Sequence, residues 1–317
     1  MRPTERGGGD MKARVLVAGA SNLDRICRLD SMMNDGASIP GRVTEFPGGA
    51  GLNVTSILAA LGVPVTFASV LGADTAADAL RTAMNDRGFA THLQVVDAAS
   101  ASYTAILQPD GDLVVAVNDM DIYGKFDAAA LDDNIAGLGA SDWMVVDANL
   151  EQSALERISR NGCQFAALTV SSAKAPRLRD LCDRIDLFFT NRREALVLSG
   201  EDAEGSMDLS LRALPKLGVK RAVISDGKNP VGVLDGETSG MITVPVLRAV
   251  RDVTGAGDAL AAGTLWRLMA GEDLCDAVRA GIAAAQAILQ VDGPWREDLA
   301  DAIDTNATGT MKAVRLD

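Results

Sequence analysis

The chain has 317 residues, of which 48% are hydrophobic and 4% aromatic, and its formal net charge is −13 at pH 7. A surface this acidic repels phosphate backbones and anionic lipids, which argues against binding to nucleic acid or to a membrane surface. The sole histidine, His92, excludes any site that needs two histidines. The four scattered cysteines lack metal-binding spacing, so we expect reduced thiols and a cytoplasmic protein.

Apolar runs typical of buried strands alternate with helical patterns in the N-terminal half. The predicted elements are a strand over residues 13–20, a helix over 51–62, a strand over 65–72 and a helix over 74–87. Asp74 is the predicted N-cap of the last helix. Residues 1–12 are polar and glycine-rich and lack the apolar core of a signal peptide, so we expect a disordered leader.

The same alternation continues through the C-terminal half. Strands are predicted over residues 143–150, 164–171, 186–191 and 221–227. Helices are predicted over residues 152–160 and 176–184, from Arg192 onwards, and over 256–270 and 274–289. This repeated strand–helix order predicts an α/β fold with a mostly parallel sheet and helices on both faces.

Two segments, residues 23–46 and 100–122, interrupt the alternation because they are strand-like with no helix between their strands. In the second segment, Asp110-Gly111 stands between two apolar runs, which is a hairpin signal. We expect the two segments to form a small antiparallel sheet. The α/β core would then consist of residues 13–22, 47–99 and 123–300.

The segment RDVTGAGDALAAG, residues 251–263, is the motif with the clearest chemistry. Gly255, Ala256 and Gly257 open a predicted helix, where converging backbone N–H groups and the helix dipole favour an anion such as a transferring phosphoryl group. Asp258 falls in the first turn beside them, where a carboxylate can take the proton of an attacking hydroxyl. The same pattern also fits an aspartate that only complements the helix dipole.

The segment FPGGAGLNVTSILAALG, residues 46–62, is a second candidate site. Gly48 and Gly49 allow a ligand to approach the backbone closely. Asn53 lies in the first turn of the following helix, and its amide can donate to and accept from paired hydroxyl groups. An ordinary glycine turn before a helix would give the same pattern.

Together these motifs resemble the GGxGxN and DxTGAGD signatures of the PfkB, or ribokinase-like, carbohydrate kinase family. Residues Asn191 to Glu194 are similar to a third family element, NxxE, and the resemblance covers residues 13–293. It implies a Rossmann-like α/β core with a small β-sheet lid built from the two interrupting segments. It also implies ATP-dependent phosphorylation of a sugar or nucleoside hydroxyl.

The resemblance further implies roles for individual residues. Asp258 matches the catalytic base, and the Gly255–Gly257 segment matches the anion hole. The residues that match the family's acceptor site are Asn22, Asp24, Gly48, Gly49 and Asn53. The residues that match its nucleotide site are Asn191, Glu194, Ser225, Gly227 and Thr254. Asn191 and Glu194 would organise Mg²⁺ through water, with no direct protein ligand; a K⁺ site and a homodimer are also implied.

Several segments outside these motifs are similar to those of pseudouridine kinases: residues 38–49, 118–126, 147–150, 169–178 and 190–195. The reaction implied is phosphorylation of the 5′-hydroxyl of pseudouridine, with Asn118 and Asn149 as candidates to bind the base. Leu52 and Leu168 stand where those enzymes tend to carry Arg and Asp. The alternatives are therefore another sugar or nucleoside kinase of ribokinase type, and a non-catalytic sugar-binding protein, against which the intact Asp258 motif argues.

Overall fold

The structure is a computed structural model that describes residues 13–34, 36, 38–304 and 311–314. The predicted disordered leader, residues 1–12, lies outside the described residues. The strands are β1 Val15–Ala18, β2 Asn22–Leu29, β3 Gly41–Gly48, β4 Val65–Leu71, β5 Ala90–Val95, β6 Ser102–Leu107, β7 Leu113–Asp119, β8 Trp143–Asp147, β9 Gln164–Leu168, β10 Leu187–Asn191, β11 Arg221–Ser225, β12 Val231–Asp235, β13 Thr238–Ile242 and β14 Met311–Val314.

The α-helices are numbered in chain order as well. They are α1 Ala50–Ala60, α2 Thr75–Asp86, α3 Asp132–Ala136, α4 Gln152–Ile158, α5 Arg192–Ser199, α6 Met207–Ala213, α7 Ala256–Met269, α8 Leu274–Ile288 and α9 Leu299–Asp304. The predicted N-cap of α2 is confirmed, because the Asp74 side chain accepts a hydrogen bond from the backbone N–H of Ala77. Within the described residues, no helix is long and apolar enough to cross a bilayer.

The large sheet has ten strands in the order β14-β13-β12-β11-β10-β9-β8-β1-β4-β5. In this order, the seven neighbouring strands from β11 to β5 all run parallel to one another. The strands from β11 to β14 pair antiparallel. Alternate residues of the central strands enter two different cores. Val15 and Val17 of β1 pack in the core that contains α1, α7 and α8, whereas Leu16 and Ala18 pack on the opposite face. The predicted α/β fold with helices on both faces is confirmed.

The strand order reverses beside β1, because β4 and β8 flank it while following it in sequence. In open parallel sheets, ligands bind at the carboxyl ends of the strands next to such a switch point. The carboxyl ends of β1, β8, β9, β10 and β11 all lie at this edge of the sheet. We therefore expect the functional site among the residues that follow these five strands.

A separate four-stranded sheet, here called the lid sheet, has the order β3-β2-β6-β7. The β2–β3 and β6–β7 pairs are antiparallel hairpins, but β2 and β6 run parallel to each other. The predicted small sheet is confirmed, and the prediction that it is wholly antiparallel is wrong. Each hairpin pairs through its first strand, and those two strands run in the same direction.

One predicted helix has a different geometry. Residues 176–184 were expected to form an α-helix, but the chain forms a 3-10 helix over Ala175–Leu181. Its backbone bonds span three residues, as in the bond from Arg177 N to Lys174 O of 2.9 Å. Pro176 lies at the start of this helix and has no N–H to donate, which weakens the first α-helical turn.

Candidate active site

A cleft opens at the carboxyl edge of the large sheet. It is lined by Leu168, Thr169, Val170, Phe189, Thr190, Asn191, Glu194, Val223, Ser225, Gly257, Asp258 and Leu260. These residues come from the ends of β9, β10 and β11 and from the first turns of α5 and α7. The structure thus brings Asn191, Glu194, Ser225, Gly257 and Asp258, which the sequence motifs singled out, into one cleft.

The N-terminus of α7 forms one wall of the cleft. Gly255 caps this helix with φ of 78°, and a Cβ atom there would lie 2.5 Å from the Cβ atom of Pro294. The left-handed backbone therefore falls at Gly255 and not at Gly257, which has open space around it. Because the first N–H groups of a helix have no partner within it, this open first turn suits the binding of an anion.

Asp258 lies at the meeting point of α7 and α1. Its Oδ2 atom accepts a hydrogen bond of 2.8 Å from Nδ2 of Asn53, a residue 205 positions away in the chain. Burial raises the pKa of Asp258 to about 7, and the nearby carboxylates of Asp147, Asp24 and Glu194 act in the same direction, while the Asn53 hydrogen bond opposes them. A carboxyl group with a pKa close to the working pH is well suited to general base catalysis.

The second polar atom of the Asn53 side chain has no hydrogen-bond partner among the residues that the structure describes. This atom, Oδ1, is buried. A buried acceptor without a donor is costly, and in native proteins such groups are usually paired with protein, water or ligand. Since the amide of Asn53 already donates to Asp258, the oxygen is available to a hydroxyl group placed beside that carboxylate.

Asn22, Asp24, Gly48 and Gly49 form the junction between the core and the lid sheet. The side chain of Asn22 donates a hydrogen bond to Asp24 Oδ1, and burial raises the pKa of Asp24 to about 6. Gly49 has φ of 103°, and a Cβ atom at this position would lie 2.8 Å from Asn22 Oδ1. A glycine is thus needed where β3 passes these two polar side chains.

The strand register of the lid sheet places four side chains in one row. Asp24 pairs with Phe46 of β3 and with Tyr103 of β6, and Tyr103 pairs with Asn118 of β7. Paired residues project from the same face of a sheet, so Phe46, Tyr103 and Asn118 share the face of Asp24. Tyr103 was not predicted as a site residue, because only the pairing of β2 with β6 places it beside Asp24.

Asn149 lies in a different part of the molecule, two residues beyond the end of β8. Its Oδ1 atom accepts a hydrogen bond from the ammonium group of Lys174, whose pKa is lowered by burial. The guanidinium group of Arg177 holds the same turn by donating to the Asn149 carbonyl oxygen at 2.8 Å. The two candidates for base binding, Asn118 and Asn149, are thus contributed by the lid sheet and by the core.

The NxxE element forms a compact network at the start of α5. Asn191 Oδ1 accepts from the backbone N–H of Glu194 at 2.8 Å, while Asn191 Nδ2 donates to Glu194 Oε1 at 2.7 Å. The hydroxyl group of Thr169 donates to the other carboxylate oxygen of Glu194. Burial raises the pKa of Glu194. The carboxylate is therefore held in one orientation at the cleft wall.

The donor set of the cleft fits a magnesium ion that is held mainly by phosphates and water. The described residues contain no cluster of three or more His, Cys, Asp or Glu side chains that could hold a metal directly. Mg²⁺ usually retains several waters and binds through one or two carboxylates together with substrate phosphates. Asn191 and Glu194 line the cleft and are the side chains that would orient such waters if Mg²⁺ binds there with a nucleotide.

Two predicted nucleotide-binding residues lie outside the residues that line the cleft. Thr254 is exposed, and its backbone N–H donates to Asp252 Oδ1 at 2.9 Å. Gly227 occupies the turn after β11, with φ of 59°. In contrast, Val170 lines the cleft although it was not among the predicted site residues. Its φ of 57° is rare for a β-branched residue and indicates local backbone strain.

Comparisons with known proteins identify the family of the chain. Residues 12–297 match the profile of the pfkB family carbohydrate kinases. The pseudouridine kinase of Escherichia coli (strain K12) is 30% identical over 274 residues, which is 84% of this chain and 88% of the relative.

Solved structures show the same fold. A carbohydrate kinase from Agrobacterium tumefaciens superposes with a TM-score of 0.80 and 31% identity, covering 95% of this chain and 100% of the other. Ribokinase of Arabidopsis thaliana, complexed with ribose and ATP, superposes with a TM-score of 0.78 and 21% identity, covering 92% of this chain and 98% of the other. The protein is a kinase, and the chain belongs to the pfkB family of carbohydrate kinases.

Proposed function

We propose that this kinase transfers the γ-phosphate of ATP to the 5′-hydroxyl group of a nucleoside, and that pseudouridine is its preferred acceptor. One contact supports the phosphoryl transfer above all. Asp258 lies in the open first turn of α7 and accepts a hydrogen bond from Asn53, whose side-chain oxygen is unpaired among the described residues. A hydroxyl group bound there would meet a base and a hydrogen-bond acceptor on one side and an anion site on the other.

In the proposed reaction, Asp258 takes the proton of the acceptor hydroxyl as that oxygen attacks the γ-phosphorus, and the bond from the γ-phosphorus to the bridging oxygen breaks so that ADP leaves. The N–H groups of Gly257 and its neighbours in the first turn of α7 stabilise the charge on the transferring phosphoryl group. Mg²⁺ bound with ATP would supply further positive charge, and Asn191 and Glu194 would orient its water ligands. The pKa of Asp258, about 7, allows proton transfer near neutral pH.

The lid sheet supports a nucleoside rather than a bare sugar as acceptor. Phe46 and Tyr103 flank Asp24 on one face, and the exposed Asn118 extends the same row. Two aromatic rings beside a carboxylate suit a ligand that combines a planar base with sugar hydroxyl groups. The similarity to a pseudouridine kinase over most of both chains points to the same class of acceptor.

Asn118 is the stronger of the two candidates for reading the base. Pseudouridine carries an N–H at a ring position where uridine carries a C–H, so a discriminating site needs an acceptor there. The side-chain oxygen of Asn149 already accepts from Lys174, whereas the side chain of Asn118 is exposed on the face of Asp24.

The two departures from pseudouridine kinases have different surroundings. Leu52 is fully buried among the core residues below α1, so its side chain does not line the cleft. Leu168 does line the cleft, next to Thr169 and Val170. An apolar residue at the cleft wall favours the alternative function, a ribokinase-type enzyme acting on another nucleoside or a sugar.

An acceptor panel tests the proposal. The purified kinase would be assayed with ATP and Mg²⁺ against pseudouridine, uridine, cytidine, ribose and fructose 6-phosphate, with Asp258→Asn as the inactive control. We expect the highest kcat/KM for pseudouridine. Equal values for pseudouridine and uridine, or a preference for ribose or fructose 6-phosphate, would contradict the choice of acceptor and leave the kinase activity standing.

A homodimer, K⁺ activation and a cytoplasmic location are further parts of the proposal. The face of the lid sheet opposite Asp24 carries the exposed side chains of Val43, Val115 and Val117. A second copy of the chain could cover these apolar groups through the same face. Sedimentation of the wild type and of Val115→Asp would test this, since a monomeric wild type would exclude the dimer. ATP turnover with K⁺ replaced by Na⁺ tests the cation.

A further inference from the structure

Helix α1 carries Asn53 in its first turn, yet its N-terminus is held by a residue from another part of the chain. Gly49 occupies the N-cap position of α1 and offers no side-chain oxygen. The backbone N–H of Gly51 instead donates to Asp147 Oδ2 at 2.8 Å. Asp147 is the last residue of β8 and lies 96 positions further along the chain.

The same carboxylate also holds the end of the first strand. Asp147 Oδ2 accepts from the backbone N–H of Ala20 at 2.7 Å, and Asp147 Oδ1 accepts from the backbone N–H of Asn149 at 2.9 Å. The side chain is fully buried. Ala20 precedes Asn22 and Asp24, and Gly51 precedes Asn53, so one carboxylate connects both segments of the proposed acceptor site.

The packing around this carboxylate leaves almost no free space. A Cβ atom on Gly19 would lie 2.3 Å from Asp147 Oδ2, and a Cβ atom on Gly51 would lie 2.9 Å from the Cα atom of Gly19. A second link joins the same segments, because Leu52 N donates to Ala20 O at 2.9 Å. The position of Asn53 relative to Asn22 therefore depends on the hydrogen bonds from Ala20 N and Gly51 N to the Asp147 carboxylate.

We infer that Asp147 is a positioning residue for phosphoryl transfer. By holding the N–H groups of Ala20 and Gly51 on one oxygen, it sets where Asn53 meets both Asp258 and the acceptor hydroxyl. Asp147 does not itself line the cleft and positions Asn53 through these groups, while its charge separately raises the pKa of Asp258. The inference depends on the proposed function only in placing the acceptor beside Asn53, and it holds for any nucleoside or sugar bound there.

The variant Asp147→Asn tests this role with little change in volume. An amide offers a single acceptor oxygen where three N–H groups converge, so at least one of them would face an NH₂ group. At pH 8, above the pKa of about 7 of Asp258, loss of the Asp147 charge changes the ionisation of the base little. At this pH we expect kcat/KM for the acceptor to fall by about 10- to 100-fold, since small displacements of positioning groups have effects of this size. The KM for ATP is expected to stay unchanged, because the residues that line the nucleotide side come from β10, β11 and α7.

The chain offers a matched control at the other end of the same strand. Asp142 immediately precedes β8, is also buried, and accepts from the backbone N–H groups of Arg14 at 2.7 Å and Gly139 at 2.9 Å. It lies about 17 Å from Asp147 along the strand, at the edge opposite the cleft. Asp142→Asn should lower the melting temperature, because hydrogen bonds and the Arg14 guanidinium hold the pKa of this carboxyl group below its usual value, and leave the kinetics for the acceptor unchanged.

Both variants would be assayed with whichever acceptor of the panel the wild type phosphorylates fastest, so a wrong choice of pseudouridine cannot be mistaken for a failure of this inference. Should Asp147→Asn fail to fold, Gly19→Ala tests the same contact by placing a methyl group against the carboxylate. The inference is supported if kcat/KM for the acceptor falls while KM for ATP does not. It is overturned if the acceptor kinetics stay at the wild-type level, or if Asp142→Asn loses as much.

Discussion

The contact between Asn53 and Asp258 allows a quantitative prediction about pH. Asn53 Nδ2 donates to the carboxylate at 2.8 Å and thereby favours its ionised form. In Asn53→Ala this donor is lost, so the pKa of Asp258 should rise from its value of about 7. Hydrogen bonds to charged groups contribute about 1.5–3 kcal/mol, and one pKa unit corresponds to about 1.4 kcal/mol. Taking the lower end of this range, we expect the pKa of Asp258 to rise by about one unit.

The sign of the kinetic effect follows from the role of the base. Only the ionised carboxylate accepts a proton, so the acid limb of the profile of kcat/KM against pH should move to higher pH by about one unit in Asn53→Ala. The assay is the initial rate of phosphoryl transfer between pH 5 and 9 at low acceptor concentration. Asn22→Ala is the matched control: it removes a hydrogen bond that favours ionised Asp24, and ionised Asp24 raises the pKa of Asp258, so the acid limb of this variant should not move to higher pH. An acid limb that stays in place in Asn53→Ala would refute either the contact or the assignment of Asp258 as the base.

Three further substitutions test the rest of the site. Asp258→Asn should lower kcat by about 10²- to 10⁴-fold. Asp258→Asn should also raise the melting temperature at pH 8. The folded pKa of Asp258 exceeds its unfolded value, so ionisation of this carboxyl group destabilises the wild-type protein as the pH rises from the unfolded pKa towards the folded pKa. Thermal scans at pH 5 and 8 check this. Gly257→Val should abolish ATP turnover while the circular dichroism spectrum stays intact, because the valine side chain would enter the open space at the anion site. A normal kcat would show that the first turn of α7 is not the anion site. Asp24→Ala should weaken acceptor binding by about 10- to 150-fold, from a loss of about 1.5–3 kcal/mol, and leave ATP binding unchanged in calorimetry; equal losses for both ligands would indicate a folding defect.

Much of the fold follows from local patterns. The strand and helix order was predictable because apolar periodicity reflects burial of contiguous residues, and the N-cap at Asp74 is a local signal. The parallel pairing of β2 with β6 was not predictable, since the two strands lie far apart in the sequence and either direction would satisfy their alternation. The 3-10 geometry of Ala175–Leu181 also escaped prediction, because the apolar pattern there suits both helix types.

The sequence by itself determined the family and the residues that begin its two site helices. The segments around Asn53 and Asp258 are contiguous motifs, in which glycines and a helix N-terminus lie within a few positions of the polar residue. Such motifs can be recognised without knowing what they pack against. The expected roles of Asn22, Asp24, Asn191 and Glu194 have the same origin.

Only the tertiary structure decided how these groups act on one another. The Asp147 carboxylate meets Ala20 and Gly51 across 127 and 96 positions of the chain, and no local pattern marks it as a cap for α1. The register between β2 and β6 places Tyr103 beside Asp24. The pKa of Asp258 depends on burial and on carboxylates from other strands and helices. Each of these properties is set by through-space distance and loss of solvent, which depend on the packing of segments far apart in sequence.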